Sequence, residues 1–214
     1  MEDFGLYLVM TAPKCGYAHC CEAAVRAGVK MVQLRMKERD WTRDEQLETA
    51  RELVSIVRGS ATRLIVDDDP ALAEEAGADG VHVGQDDLPV EVVRSRHPGL
   101  SIVGLSTHNL AQAQAAVAAE PDYIGVGPVF ATPTKKVPDP VLGTDAAGAM
   151  IAAVNCPAVA IGGIDEHNLA RVIAAGARNW AVVRAVCAAD DPFAAISRLQ
   201  AVAADALARL PGGA

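Results

Sequence analysis

With 214 residues, 51% of them hydrophobic and only 4% aromatic, the chain can bury one large core built from small and branched side chains. A net charge of −8 excludes the basic footprint that general nucleic-acid binding needs, and no apolar stretch is long enough to cross a bilayer. The start, Met1-Glu2-Asp3, has no basic residue ahead of its apolar run and does not read as a secretory signal, so the expected compartment is the cytoplasm.

Short apolar runs predict buried strands at 5–10, 31–34, 63–66, 80–83, 101–105, 123–126, 158–161 and 180–183. Helical patterns lie between most of them. The stretch 42–57 carries Leu47, Ala50, Leu53, Val54 and Val57 at helical spacing, and Thr42 with Glu45 predicts a capping box. Ala-rich helices are expected at 109–119 and 166–175, and Asp191-Pro192 opens the last one. Ala27-Gly28, Ala76-Gly77 and Ala175-Gly176 repeat one scheme, a helix stopped by a left-handed glycine before the next strand. Eight such βα units predict an α/β fold, a single-domain (β/α)8 TIM barrel over 1–214 with its core at about 5–208. An open doubly wound sheet fits less well, because the first strand-to-helix turn lacks GxGxxG.

In a barrel, chemistry sits where the strands end, and the polar residues fall there. Gln33, Arg35 and Lys37 alternate along an extended segment and point one way. Asp68 and Asp87 follow the third and fourth strands, which are neighbours in a barrel. Two carboxylates there suit Mg²⁺, which binds through one or two carboxylates plus substrate phosphates; each could also be an ordinary helix cap. Ser106 closes the fifth strand in reach of a phosphate oxygen, and His108 beside it reads as a helix-start residue. Lys135 and Lys136 lie in the long, proline-rich segment 127–143, read as a phosphate-gripping lid. Gly162-Gly163 follows the seventh strand and precedes a helix, an arrangement that lets backbone N–H groups meet an anion. Arg184 follows the eighth strand and can add a fork to the same phosphate. His82, inside a strand, reads as a satisfied core histidine. No Ser-His-Asp or Cys-His arrangement supports a protein nucleophile.

The five cysteines are Cys15, Cys20, Cys21, Cys156 and Cys187. With no CxxC pair, free thiols are expected. Cys15, His19, Cys20 and Cys21 cluster without a second pair at zinc-site spacing, so they read as a loop entering a helix, with the cysteines as small hydrophobes.

The ordered set Gln33-Leu34-Arg35-Met36-Lys37, Leu64-Ile65-Val66-Asp67-Asp68, Gly80 through Asp87, Gly104-Leu105-Ser106-Thr107-His108, Gly125 through Phe130 with Thr132-Pro133-Thr134-Lys135, and Ala160 through Ile164 resembles thiamine phosphate synthase. The resemblance implies a TIM barrel that joins an aminopyrimidine methyl diphosphate to a thiazole phosphate by alkyl transfer. It implies Mg²⁺ as cofactor, held by Asp68 and Asp87. Gln33, Arg35, Lys37, Ser106 and Lys135 match the holders of the pyrimidine diphosphate, with Asp67 beside them. Thr132, Thr134, Gly162 and Gly163 match the thiazole phosphate side, to which Arg184 adds a variant grip. The implied mechanism is dissociative: pyrophosphate leaves first, and the thiazole nitrogen attacks the resulting carbocation. The implied partners are small phosphorylated substrates, with room for a homo-oligomer and no nucleic acid or membrane. Asp67 stands where the family usually has Asn, Asp69 where it usually has Arg, and Arg184 where it often has Ser. Met36 replaces a common acidic residue and should point away from the site. The alternatives are a thiazole tautomerase-like barrel, which would need neither the Asp pair nor Thr134-Lys135, and a non-catalytic regulator that binds thiamine phosphates.

Overall fold

The structure, a computed structural model, describes residues 2–132 and 139–210. Its parallel strands are β1 (Leu6–Met10), β2 (Met31–Leu34), β3 (Arg63–Asp67), β4 (Gly80–Val83), β5 (Ile102–Thr107), β6 (Tyr123–Val126), β7 (Ala158–Ala160) and β8 (Asn179–Val182). They pair in chain order, and β8 closes on β1. This is the (β/α)8 barrel expected from the alternation, with each expected strand present.

Strand parity divides the core. On β1, Tyr7 and Val9 face the barrel interior, while Leu6, Leu8 and Met10 pack outward against helices. The same alternation puts Met31, Ile65, Ile102, Tyr123, Val159 and Ala181 inside. Val32, Leu64, Val81, Val103, Ile124 and Val182 fill the layer between barrel and helices. Period-two side-chain direction is the cause, and it carries into the strand exits. Gln33 is in phase with Met31, Asp67 with Ile65, and Ser106 with Ile102. Polar groups at these positions must aim into the barrel mouth. Met36, of opposite phase, is buried in the outer layer as expected.

The helices among the described residues are α1 (Tyr17–Arg26), α2 (Arg43–Val57), α3 (Pro70–Ala76), α4 (Val90–Arg96), α5 (Leu110–Ala119), α6 (Gly143–Ala152), α7 (Leu169–Ala174), α8 (Arg184–Cys187) and α9 (Pro192–Ala208). The Thr42–Glu45 capping box is present in both directions, and Asp191 caps α9 ahead of Pro192. Gly77 ends α3 at φ 77°, the left-handed conformation that favours glycine.

Two expectations are corrected. Nine helices, not eight, occur among the described residues, because the four-residue α8 intervenes between β8 and α9. The helix after Gly162-Gly163 starts at Leu169, not at 166. Asp165 turns the chain back first, its carboxylate accepting from His167 N at 2.9 Å and its carbonyl from Leu169 N at 3.0 Å. No helix end therefore abuts the glycine pair.

Below the barrel, buried Asn179 ties down the N-terminal segment. Its side-chain oxygen accepts from Phe4 N and Gly5 N, and its amide donates to Asp3. Phe4 then sits edge-on to Tyr7 and Tyr123, with each centroid distance 6.1 Å, and closes the floor.

Candidate active site

The interior above that floor holds one continuous chain of hydrogen bonds. Gln33 Nε2 donates to the Tyr7 hydroxyl at 2.9 Å. The Tyr7 and Tyr123 hydroxyls lie 2.9 Å apart. Tyr123 reaches His82 Nδ1 at 3.0 Å, and His82 Nε2 reaches Ser106 Oγ at 2.8 Å. Five side chains from β1, β2, β4, β5 and β6 thus satisfy one another, as buried polar groups must. Burial dominates their titration. It lowers His82 to about 4 and lifts both tyrosines above the ordinary phenol range. All three are neutral near pH 7, so the network positions groups and is not a store of charge. His82 is the satisfied histidine expected, and it is also what holds Ser106.

Charge collects at the exits of β2, β3 and β4. Arg35 Nε stands 3.4 Å from Asp67 Oδ2, and Lys37 Nζ stands 2.8 Å from Asp68 Oδ2 and 4.0 Å from Asp67. Burial, then the charge of Asp68, pushes the Asp67 carboxyl up to about 7, against the pull of Arg35 and Lys37. Burial works against the charge on Lys37. The Asp68 hydrogen bond and the charges of Asp68 and Asp67 still hold its ammonium above the ordinary range.

Asp68 adopts φ 60°, the left-handed region, and its N–H donates to His82 O at 2.8 Å. That strained turn swings the residue toward β4. Asp87 reaches the same place from the other side, its Oδ2 accepting from Gly84 N at 2.7 Å. Burial raises the Asp87 carboxyl; the Gly84 N–H opposes this, and the charge of Asp68 adds to it. Two carboxylates held this close repel unless a cation lies between them. The donor set, two carboxylates open to further oxygens, fits Mg²⁺ completed by phosphates and water. Among the described residues no group of three or more His, Cys, Asp or Glu could hold a metal by itself, so a cation here would need ligands from substrate or solvent.

Asp69 is turned away from this rim. Its Oδ1 caps α3 by accepting from Leu72 N at 2.7 Å, and its Oδ2 binds Arg43 at 2.7 Å. It is a structural carboxylate, which a sequence comparison could not show. A cavity of about 350 Å³ beside Asp69 is lined by outward-facing Leu34, Met36 and Val66 together with Lys37, Asp67 and Asp68. It therefore runs from behind the rim to the charged edge of the mouth.

Across the barrel, the segment after β6 packs on the segment after β7. Val129 N donates to Ile161 O at 2.8 Å, and Phe130 N to Gly162 O at 2.9 Å. Gly162 and Gly163 have φ of 104° and 65°. A Cβ on Gly162 would stand 2.6 Å from Pro128 Cα, and one on Gly163 would stand 2.7 Å from Ala131 O. The pair is glycine for both conformation and close approach. Thr132 follows on the same segment, while Thr134 and Lys135 lie outside the described residues. Arg184, the first residue of α8, is exposed; its carbonyl accepts from Ala188 N at 3.1 Å, and its side chain makes no hydrogen bond or ion pair with the described residues.

The structure thus brings Gln33, Arg35, Lys37, Asp67, Asp68, Asp87 and Ser106 to one sector, and Thr132, Gly162 and Gly163 to another. Sequence reasoning missed Tyr7 and Tyr123, which read as ordinary core aromatics. Their phase with Gln33 and Ser106 on paired strands was the available signal.

Comparison with known proteins gives one consistent family. The family model described as thiamine monophosphate synthase matches residues 6–186. The chain is 43% identical over 206 residues to a thiamine-phosphate synthase of Laribacter hongkongensis, covering 94% of this chain and 96% of the relative. It is 45% identical over 203 residues to one of Chloroflexus aurantiacus, covering 94% and 93%. Among solved structures, a thiamine phosphate pyrophosphorylase from Pyrococcus furiosus superposes with a TM-score of 0.86 at 29% identity, over 96% of this chain and 98% of that one.

Proposed function

Because the chain belongs to the thiamine monophosphate synthase family and is a transferase, we propose how its barrel mouth divides the work of joining an aminopyrimidine methyl diphosphate to a thiazole phosphate. Gln33 and the tyrosines behind it receive the pyrimidine. Arg35, Lys37, Ser106 and Lys135 grip the diphosphate. Asp68 and Asp87 hold Mg²⁺, whose contribution is to neutralise charge on the departing diphosphate. Thr132, Thr134, Gly162, Gly163 and Arg184 face the thiazole phosphate.

The observation that carries this reading is the meeting of two carboxylates with Lys37 and Arg35 at adjacent strand exits. A diphosphate leaving group needs fixed cations and a metal-binding pair. It does not need a nucleophile or a strong base. The bond from the pyrimidine methylene to the diphosphate oxygen breaks first, leaving a ring-stabilised cation. The thiazole nitrogen then donates its lone pair to that carbon, giving thiamine phosphate and pyrophosphate. The network suits this sequence because both His82 ring nitrogens are engaged, with Tyr123 and Ser106, which keeps the imidazole lone pair from the cation. Holding both substrates in line supplies much of the rate.

Small phosphorylated molecules are the partners of this reaction, and the cytoplasm is its compartment. No helix among the described residues is long and apolar enough to cross a membrane.

The test is pyrophosphate release by the purified chain with both substrates and Mg²⁺, repeated with Asp68→Ala and Lys135→Ala. The expected result is metal-dependent release matched by thiamine phosphate, lost in both variants. Release without matching product, or full activity in either variant, would overturn the assignment.

A further inference from the structure

His108 does more than open α5. Its backbone N–H donates to Gln112 Oε1 at 2.7 Å, the helix-start role expected, and Asn109 supplies the cap. The imidazole reaches a different element. Its Nδ1 lies 2.8 Å from Gly127 O, at the exit of β6. A carbonyl oxygen only accepts, so Nδ1 carries the proton and donates. Gly127 is buried, and a buried carbonyl needs such a donor.

Both peptide groups of Gly127 are therefore held by the exit of β5. Its N–H donates to Thr107 O at 3.2 Å, and its carbonyl accepts from His108. Gly127 also rests on the exit of β7, where a Cβ on it would stand 2.3 Å from Ile161 O. Downstream, Val129 N and Phe130 N donate to Ile161 O and Gly162 O, while Leu142 N and Gly143 N donate back to Pro128 O and Val129 O at 2.9 and 3.1 Å. Asp139 brings Oδ2 to 3.7 Å from His108 Nδ1, ion-pair range when the imidazole is charged. One side chain thus reaches the connection between β6 and α6 at two points, Gly127 and Asp139.

We propose that His108 is a positioning residue for the thiazole phosphate, an inference that rests on the reading that Thr132, Gly162 and Gly163 face that substrate. The Nδ1–H of His108 fixes Gly127. Gly127 fixes the start of the segment that carries Thr132, and that segment lies on the Gly162-Gly163 backbone. The effect falls on one substrate. Ser106, two residues before His108, is held by His82 Nε2 at 2.8 Å and does not depend on the His108 ring. The imidazole acts through the backbone and takes no proton in the reaction.

The experiment compares the full natural chain with His108→Leu and His108→Asn. Each substrate is varied with the other saturating, and hydrogen exchange at Val129 and Phe130 is followed without substrate. An asparagine amide N–H can donate to Gly127 O in place of Nδ1–H; leucine cannot. His108→Leu should raise the KM for thiazole phosphate about tenfold and leave that for the pyrimidine diphosphate within about threefold, the size of effect that one ordinary hydrogen bond produces. Exchange at Val129 and Phe130 should speed by a similar factor, with β2 and β3 unchanged. His108→Asn should restore both readouts. Equal rises in both KM values, with exchange faster throughout, would make His108 a residue of the fold alone and overturn the proposal. So would an asparagine variant as slow as the leucine one with exchange at Val129 and Phe130 still natural, because the ring would then act on substrate directly. If the natural chain formed no thiamine phosphate, the reading of the mouth would fail, and the exchange comparison would decide the His108–Gly127 clasp by itself.

Discussion

His82 and Tyr123 stack with ring centroids 5.4 Å apart and planes 22° from parallel. Gly104 is the residue that permits it. A Cβ there would stand 2.2 Å from Tyr123 Cζ and 2.5 Å from His82 Nδ1. The tyrosine cannot retreat, because Phe4 and Tyr7 back it at 6.1 and 5.7 Å. Gly104→Ala should therefore cost about 1–3 kcal/mol, the range for overpacking a filled core. It should also raise the KM for the pyrimidine diphosphate more than that for the thiazole phosphate. Urea unfolding and separate substrate titrations check the two parts. An unchanged unfolding midpoint would show that the stack yields easily.

The buried imidazole also makes stability depend on pH in a fixed direction. Burial lowers His82 from 6.5 to about 4, so between those values the unfolded chain binds more protons than the folded one. Stability is complete above about 6.5, falls as pH drops toward 4, and is flat below that with respect to this group. The span corresponds to roughly 3 kcal/mol. Comparing unfolding free energies of the natural chain and His82→Gln from pH 7 down to 4 isolates the histidine. The variant should be the less stable at pH 7, and its slope should be the shallower. Parallel curves would assign the acid sensitivity to other groups.

At the opposite side of the mouth, Gly163→Ala tests the backbone of the β6–β7 contact. The added Cβ meets Ala131 O and Phe130 in a left-handed conformation, and a non-glycine residue held there costs about 1–3 kcal/mol. Pushing the segment after β6 away should raise the KM for thiazole phosphate at least tenfold and leave that for the pyrimidine diphosphate within a factor of about three, since 1.4 kcal/mol corresponds to tenfold. Equal effects on both substrates would argue for general unfolding of the mouth.

What was legible in the sequence followed from local rules. Strand runs, the Thr42 capping box and the Ala-Gly stops each depend on a few adjacent residues, and together they imply the barrel. The convergence of Asp68 and Asp87 was also readable, because adjacent parallel strands bring their exits together. The partners of Asp69 were not. Arg43 reaches it from α2, 26 residues away, so the residue looked like an added charge in the site when it is a helix cap. Tyr7 and Tyr123 were hidden for a similar reason: an aromatic on an apolar strand reads as core until the barrel closes and their hydroxyls meet. The glycine pair was read correctly as special but for a partly wrong reason. Its backbone packs against the segment after β6, while the helix expected directly after it begins at Leu169.

The Asp68–Asp87 pair should set the metal requirement. Asp87→Asn keeps an oxygen that can accept from Gly84 N and removes one charge, so the fold should hold. The Mg²⁺ concentration for half-maximal activity should rise at least tenfold, and chelation should abolish turnover in the natural chain. Activity measured across a magnesium series, with thermal unfolding as control, gives the answer. A lower maximal rate at an unchanged magnesium midpoint would remove Asp87 from the ligand set.

Asp67 bears most directly on how this chain departs from its family. A full negative charge behind a diphosphate site would repel the substrate, yet burial and the charge of Asp68 leave the carboxyl at about 7, so it carries only part of its charge near neutrality. Its geometric role, an oxygen 3.4 Å from Arg35 Nε, is one that an amide oxygen can also fill. Asp67→Asn should therefore fold as well as the natural chain and bind the pyrimidine diphosphate with a KM that is equal or a few-fold lower. Asp67→Leu removes the acceptor and leaves Arg35 and Lys37 without a partner at that position. It should lose about 1–3 kcal/mol, the range for deleting the acceptor that faces a part-buried donor. Unfolding curves and initial rates on the two variants separate charge from geometry. If the amide variant loses activity as severely as the leucine one, the carboxylate itself is required, and Asp67 joins Asp68 and Asp87 as a charged member of the site.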